Sequence, residues 1–204
     1  MPSSAALRTW LIAPALLAAL ALAGCSASAP WAADPSPSAT PTPVATAPQP
    51  VPNDLSTGST RRTLQAGPLG LSIDYWSDLL MDKWTAGALK PVSMNLLATV
   101  TPDDGKSVYL QRAAMLATPM NGATALPTLA AQVDTSSVAP GYLALDPYSY
   151  SQTFTVGAVP EEATHVVLLF TYDMLVQTTP TSDQYAKQTA TDTLTVAIAP
   201  TPAG

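Results

Sequence analysis

Along most of the chain apolar residues recur at every second position, which is the period of a strand with one buried face. In residues 91–100, Val92, Met94, Leu96, Ala98 and Val100 fall on one side. Thr101-Pro102-Asp103-Asp104-Gly105 then supplies turn chemistry and residues 107–116 return, predicting a β-hairpin with a longer loop. Residues 150–156 alternate Tyr150, Gln152, Phe154 and Val156 against Ser151, Thr153 and Thr155, another predicted strand. Within residues 164–176, the run Val166-Val167-Leu168-Leu169-Phe170 is apolar on both faces, as suits a strand in the middle of a sheet. Residues 189–198 set Thr189, Thr191, Thr193 and Thr195 opposite Leu194, Val196 and Ile198, the cleanest half-buried strand in the chain. Residues 69–76 open the series, and residues 128–133 give a weaker strand beyond an Asn121-Gly122 turn. The exception is residues 77–84: Asp74, Asp78 and Asp82 are spaced by four, as are Leu79 and Lys83, which predicts one or two helical turns.

Short strands separated by Pro, Gly and Asp, with little helical pattern, predict an all-β antiparallel sandwich of about seven strands. The spacing from Pro160 through Thr164 and the apolar run to Tyr172 is similar to the approach to strand F in fibronectin-type domains, with His165 near the place where a Tyr often sits. That resemblance implies an immunoglobulin-like sandwich; a jelly roll or another Greek-key sandwich fits the same periodicity.

The first residues follow a different pattern. Arg8 precedes an apolar stretch over residues 10–23, too short to span a membrane comfortably, and small residues lead up to a cysteine. Leu22-Ala23-Gly24-Cys25 resembles the lipobox of bacterial lipoproteins, in which the peptide is cut before a cysteine that carries diacylglycerol. The resemblance implies a signal peptide over residues 1–24, lipidation at Cys25, and a protein held at the extracytoplasmic face of the cell membrane by its lipid anchor. Residues 25–59 continue in Ala, Ser, Thr and Pro, which cannot bury a core, and are predicted to form a tether. In polyproline geometry, at about 3.1 Å per residue, such a tether reaches up to about 100 Å. The sandwich is expected over residues 60–199 and a disordered tail over residues 200–204.

Charge narrows the function. Cleavage removes Arg8 from the 8 basic residues, leaving seven scattered between Arg61 and Lys187 against 14 acidic ones, so a nucleic-acid partner is excluded. Cys25 is the single cysteine, so neither an intrachain disulfide nor a thiolate metal site is available. The single histidine, His165, lies in the most apolar strand, and no Gly-x-Ser-x-Gly elbow occurs, so no catalytic residue is assigned and His165 is expected to be structural. A carboxylate-dependent hydrolase stays open as a further alternative, because paired acids alone can cleave a glycoside. Asp103-Asp104, the Asp74, Asp78 and Asp82 series, and Glu161-Glu162 match no calcium loop and are expected in turns. Met81, Met94, Met115, Met120 and Met174 are read as packing residues; neither a metal nor any other cofactor is expected.

Aromatic residues carry the remaining lead. Tyr75-Trp76 with Trp84, and Tyr142 with Tyr148 and Tyr150, lie near strand ends, where rigid amphipathic rings suit contact with a sugar or a protein. Trp76 is expected in the core, and Trp84, Tyr148 and Tyr150 are the candidate binding residues. The sequence thus points to a non-catalytic interaction module contacting another envelope protein or cell-wall polysaccharide, with carbohydrate or small-ligand binding as the alternative.

Overall fold

The computed structural model describes residues 50–200, so the signal segment, Cys25, residues 26–49 of the expected tether and residues 201–204 lie outside the described residues. Strands follow one another as β1 (Ser59–Ala66), β2 (Leu69–Trp76), β3 (Lys90–Val100), β4 (Val108–Asn121), β5 (Thr124–Ala125), β6 (Gln132–Thr135), β7 (Tyr142–Leu143), β8 (Tyr150–Val156), β9 (His165–Gln177) and β10 (Tyr185–Ala197). They form two antiparallel sheets packed face to face. One has the order β1-β2-β3-β8, the other β10-β9-β4, with the short β5, β6 and β7 all paired to β4. This is the all-β sandwich expected from the alternation, and β9 is the central strand its apolar run predicts.

Two local expectations change. The helical turns reduce to a single 3-10 turn, Met81–Lys83; Asp74 belongs to β2, so the four-residue spacing of the acids does not lie on one helix. The runs on either side of Asp103-Asp104-Gly105 do not form a hairpin, because β3 and β4 belong to different sheets. Turn chemistry reverses the chain without deciding which sheet receives it, and the residues 101–107 are long enough to cross the roughly 10 Å between packed sheets. In the immunoglobulin order the third strand lies in the sheet opposite the second, whereas here β3 stays beside β2 and the crossover comes one strand later.

The core fills from alternating positions. On β2, Leu69, Leu71, Ile73 and Tyr75 are fully buried. They face Leu168, Phe170, Tyr172 and Met174 of β9, with the Tyr75 and Phe170 rings 4.9 Å apart. Each such side chain contributes about 1.5–3 kcal/mol on burial. On β4 the inward set changes parity from Val108 and Leu110 to Ala113, Met115 and Ala117, because the register against β9 shifts between Leu110 and Arg112. One extra residue there, a β-bulge, moves the buried face from even to odd numbers.

The chain ahead of β1 is already part of this core: Leu55 is fully buried. Asp54 lies along β10, its N–H donating to Thr195 O at 2.8 Å and its Oδ2 accepting from Thr195 N–H at 2.7 Å. Lys90, the first residue of β3, is fully buried without a carboxylate. The three N–H bonds of its Nζ are shared among the carbonyls of Ala88 (2.6 Å), Gly157 (2.9 Å), Thr85 (3.2 Å) and Ala86 (3.4 Å). Burial pushes the Lys90 ammonium below its ordinary value. The four carbonyls fix the segment after Trp84 against the end of β8.

Candidate functional site

On one side of the sandwich, the edge of β8 faces the short strands β6 and β7. β6 pairs with β4 so that Val133 points to the outer surface, 49% exposed, while Gln132 and Asp134 on either side of it reach inward to β8. Gln132 closes one end of the seam: its side-chain amide accepts from Thr155 N–H at 2.9 Å and donates to Thr155 O. Asp134 closes the inner side, its Oδ2 accepting from the Tyr150 hydroxyl at 2.6 Å. Burial first, and then the bond to Asp134, hold the Tyr150 phenol above its ordinary value, so it stays a donor. The Tyr142 ring packs on Tyr150 with centroids 5.2 Å apart.

Between these closures a hollow of about 400 Å³ opens, lined by Asp134, Tyr142, Ser149, Tyr150, Ser151 and Gln152 together with Leu143. Thr155 directs its N–H and C=O away from β3 toward Gln132, and alternation gives Ser151 the same direction. Thr153 is the intervening edge residue, and its N–H is held by Gln152 Oε1 at 2.9 Å. Ser151 is therefore the point where the β8 backbone opens into the hollow. A carboxylate, a primary amide, hydroxyls, a peptide group and a tyrosine ring share this space. Such groups bind hydroxyls and amides, and nothing in the set is an activated nucleophile.

The candidate aromatic residues separate. Tyr148 is 59% exposed, next to the lining residue Ser149, and Tyr150 forms the floor with its ring buried. Trp84 is fully buried, its Nε1 donating to Ser77 Oγ at 3.2 Å, so its ring offers no surface to a ligand. Trp76 is instead partly exposed. Trp76 leaves the expected core position because Tyr75 takes the inward position on β2 and period two turns Trp76 outward. Asp134 escaped the sequence reading, since only the pairing of β6 with β4 aims it at Tyr150, and no local pattern encodes that pairing.

The other candidate groups lie elsewhere. His165 opens β9, its Nδ1 at 3.0 Å from Thr164 Oγ1, and partial burial holds its pKa below the ordinary value. Asp74 pairs with Arg61, Asp82 with Lys83 and Asp104 with Lys106, at 2.6, 3.3 and 2.6 Å. Glu161 and Glu162 are exposed, and Met94, Met115 and Met174 are buried in the core. Among the described residues, no group of three or more His, Cys, Asp or Glu side chains is placed to hold a metal ion. Comparison with known proteins finds no family model and no curated relative matching this chain.

Proposed function

We propose that the chain is a lipid-anchored extracytoplasmic protein whose sandwich is a non-catalytic interaction module, contacting another envelope protein or the cell wall through the hollow at β6, β7 and β8. The observation that supports this reading is the convergence of Asp134, Gln152, Ser149 and the Ser151 backbone beside Tyr142, with Tyr148 exposed one residue before Ser149. These groups recognise a surface without reacting with it. The anchor rests on the lipobox resemblance at Cys25, and its test is direct. Cys25→Ser is expected to shift the protein out of the membrane fraction, and an unchanged fraction would remove the anchor from this account.

The hollow also favours a second reading, a saccharide ligand, because a carboxylate and an amide beside a tyrosine ring suit adjacent hydroxyls and the C–H face of a sugar. Binding of wall polysaccharide that falls at least tenfold on Asp134→Ala supports it; binding indifferent to Asp134 and Tyr142 refutes it.

A further inference from the structure

The hollow over Tyr142 opens along the edge of β8, and a second one adjoins it on the outer face of the four-stranded sheet. Period two and the register of that sheet set its outward side chains in rows across the strands. One row runs Trp76, Ser93, Thr153; the next runs Arg61, Asp74, Asn95, Ser151. Trp76 therefore has only the short Ser93 and Thr153 side chains between it and the β8 edge. Their hydroxyls bond each other at 2.8 Å. Beside them a hollow of about 210 Å³ is lined by Trp76, Ser93, Met94, Ser151, Gln152 and Thr153. Ser151 and Gln152 also line the hollow over Tyr142, so the two depressions meet at these residues.

We infer that the two hollows form one groove for an extended, uncharged polysaccharide, with Trp76 as a distal stacking platform. This rests on the saccharide reading of the hollow at Asp134 and adds a ligand length to it. Trp76 lies two strands from β8, about 10 Å away, farther than a single sugar ring reaches from the Tyr142 side. The groups along the path bind hydroxyls. Asn95 Oδ1 accepts from Ser151 Oγ at 2.8 Å, which orients the amide, and Asn95 Nδ2 donates to no group among the described residues. The outward charges of the sheet cancel, since Arg61 and Asp74 bind each other through two bonds of 2.6 and 2.8 Å, and the Asp134 carboxylate at the other end repels an anionic chain. A protein partner fits this face less well, because Ser is depleted in protein interfaces and here Ser72, Ser93 and Ser151 stand on the same outer face as Trp76. An indole beside hydroxyls and an amide suits the C–H face of a sugar ring and the hydroxyls at its rim.

Titration of the full-length protein in detergent with oligosaccharides, released from neutral wall polysaccharide and fractionated by size, tests this. Affinity is expected to rise with length until both hollows are filled. Trp76→Ala should weaken the long fractions about tenfold through loss of one stacked ring and leave the shortest binding fraction unchanged, whereas Asp134→Ala should weaken both. Asn95→Ala keeps the ring and removes the amide, so it should weaken the long fractions by a smaller factor even where Trp76→Ala fails to fold. The inference is overturned if both platform variants bind the long fractions like the parent while Asp134→Ala weakens them; the hollow at Asp134 then stands alone as the site. Equal weakening of short and long fractions by Trp76→Ala overturns the two-part groove as well. Failure of the parent to bind any fraction removes the saccharide reading and the groove together.

Discussion

Replacing Lys90 by methionine removes an ammonium group while keeping most of its aliphatic volume, so the effect isolates the four carbonyls that surround Nζ. Two of them keep another partner: Thr85 O accepts from Ala88 N–H at 3.2 Å, and Ala86 O from Val159 N–H at 2.9 Å. Ala88 O and Gly157 O, the two shortest contacts of Nζ at 2.6 and 2.9 Å, are left without one. Both carbonyls are only partly buried, so each costs less than the about 1–3 kcal/mol of a fully buried unpartnered group, and relief of the ammonium's own desolvation offsets part of this. The expected net loss is about 1–3 kcal/mol. Urea unfolding monitored by tryptophan fluorescence reads it directly, because Trp84 packs in the segment that Lys90 pins. With a slope of about 2 kcal/mol per molar urea, the midpoint should fall by roughly 0.5–1.5 M. A Lys90→Met midpoint equal to or above the parent's would refute the assignment of Lys90 as the clamp.

Three further outcomes follow from the same contacts. Burial pushes the Asp173 carboxyl up, but the Thr189 hydroxyl, Lys187 and Arg112 outweigh it and hold the pKa below its ordinary value. The resulting stability is present above the unfolded carboxyl value of about 4 and is lost as pH falls through the folded one. Asp173→Asn should therefore destabilise the protein at neutral pH and converge with the parent in acid, as read from thermal midpoints against pH. Trp84→Ala should cost about 3–5 kcal/mol of unfolding free energy by urea titration, whereas Tyr148→Ala, at an exposed position, should stay within about 0.5 kcal/mol. Gln132→Ala should free the Thr155 edge of β8 and lower stability by about 1–2 kcal/mol, with increased self-association detectable by light scattering.

Much of the fold was legible because its strands bury one face. β2 and β8 fall where period two places them, and β9 reads as central because Val167 and Leu169 add apolar residues on its second face. Two features were not legible. The bulge after Leu110 shifts the parity of β4 partway along, so no single alternation describes its inward face. The link over residues 101–107 carries the chemistry of a reversal, which a hairpin and a crossover between sheets share. β1 was missed because its inward positions include Thr60 and Arg62, whose guanidinium meets Asp54 at 2.6 Å where an apolar side chain would normally mark a strand. The site was half visible. Tyr148 and Tyr150 stood out as aromatics near strand ends, but Asp134 and Gln132 acquire their role only through pairing with β4, a contact between distant stretches of chain.

The central claim, that the face around Tyr142, Tyr148 and Asp134 is what this protein uses, is tested most directly by site-specific photo-crosslinking in cells from position 148, with position 193 on β10 as the control face. A defined envelope component captured from position 148, absent from position 193 and lost on Asp134→Ala, is the predicted result. Equal capture from both positions, or capture from position 148 unchanged by Asp134→Ala, would contradict the account.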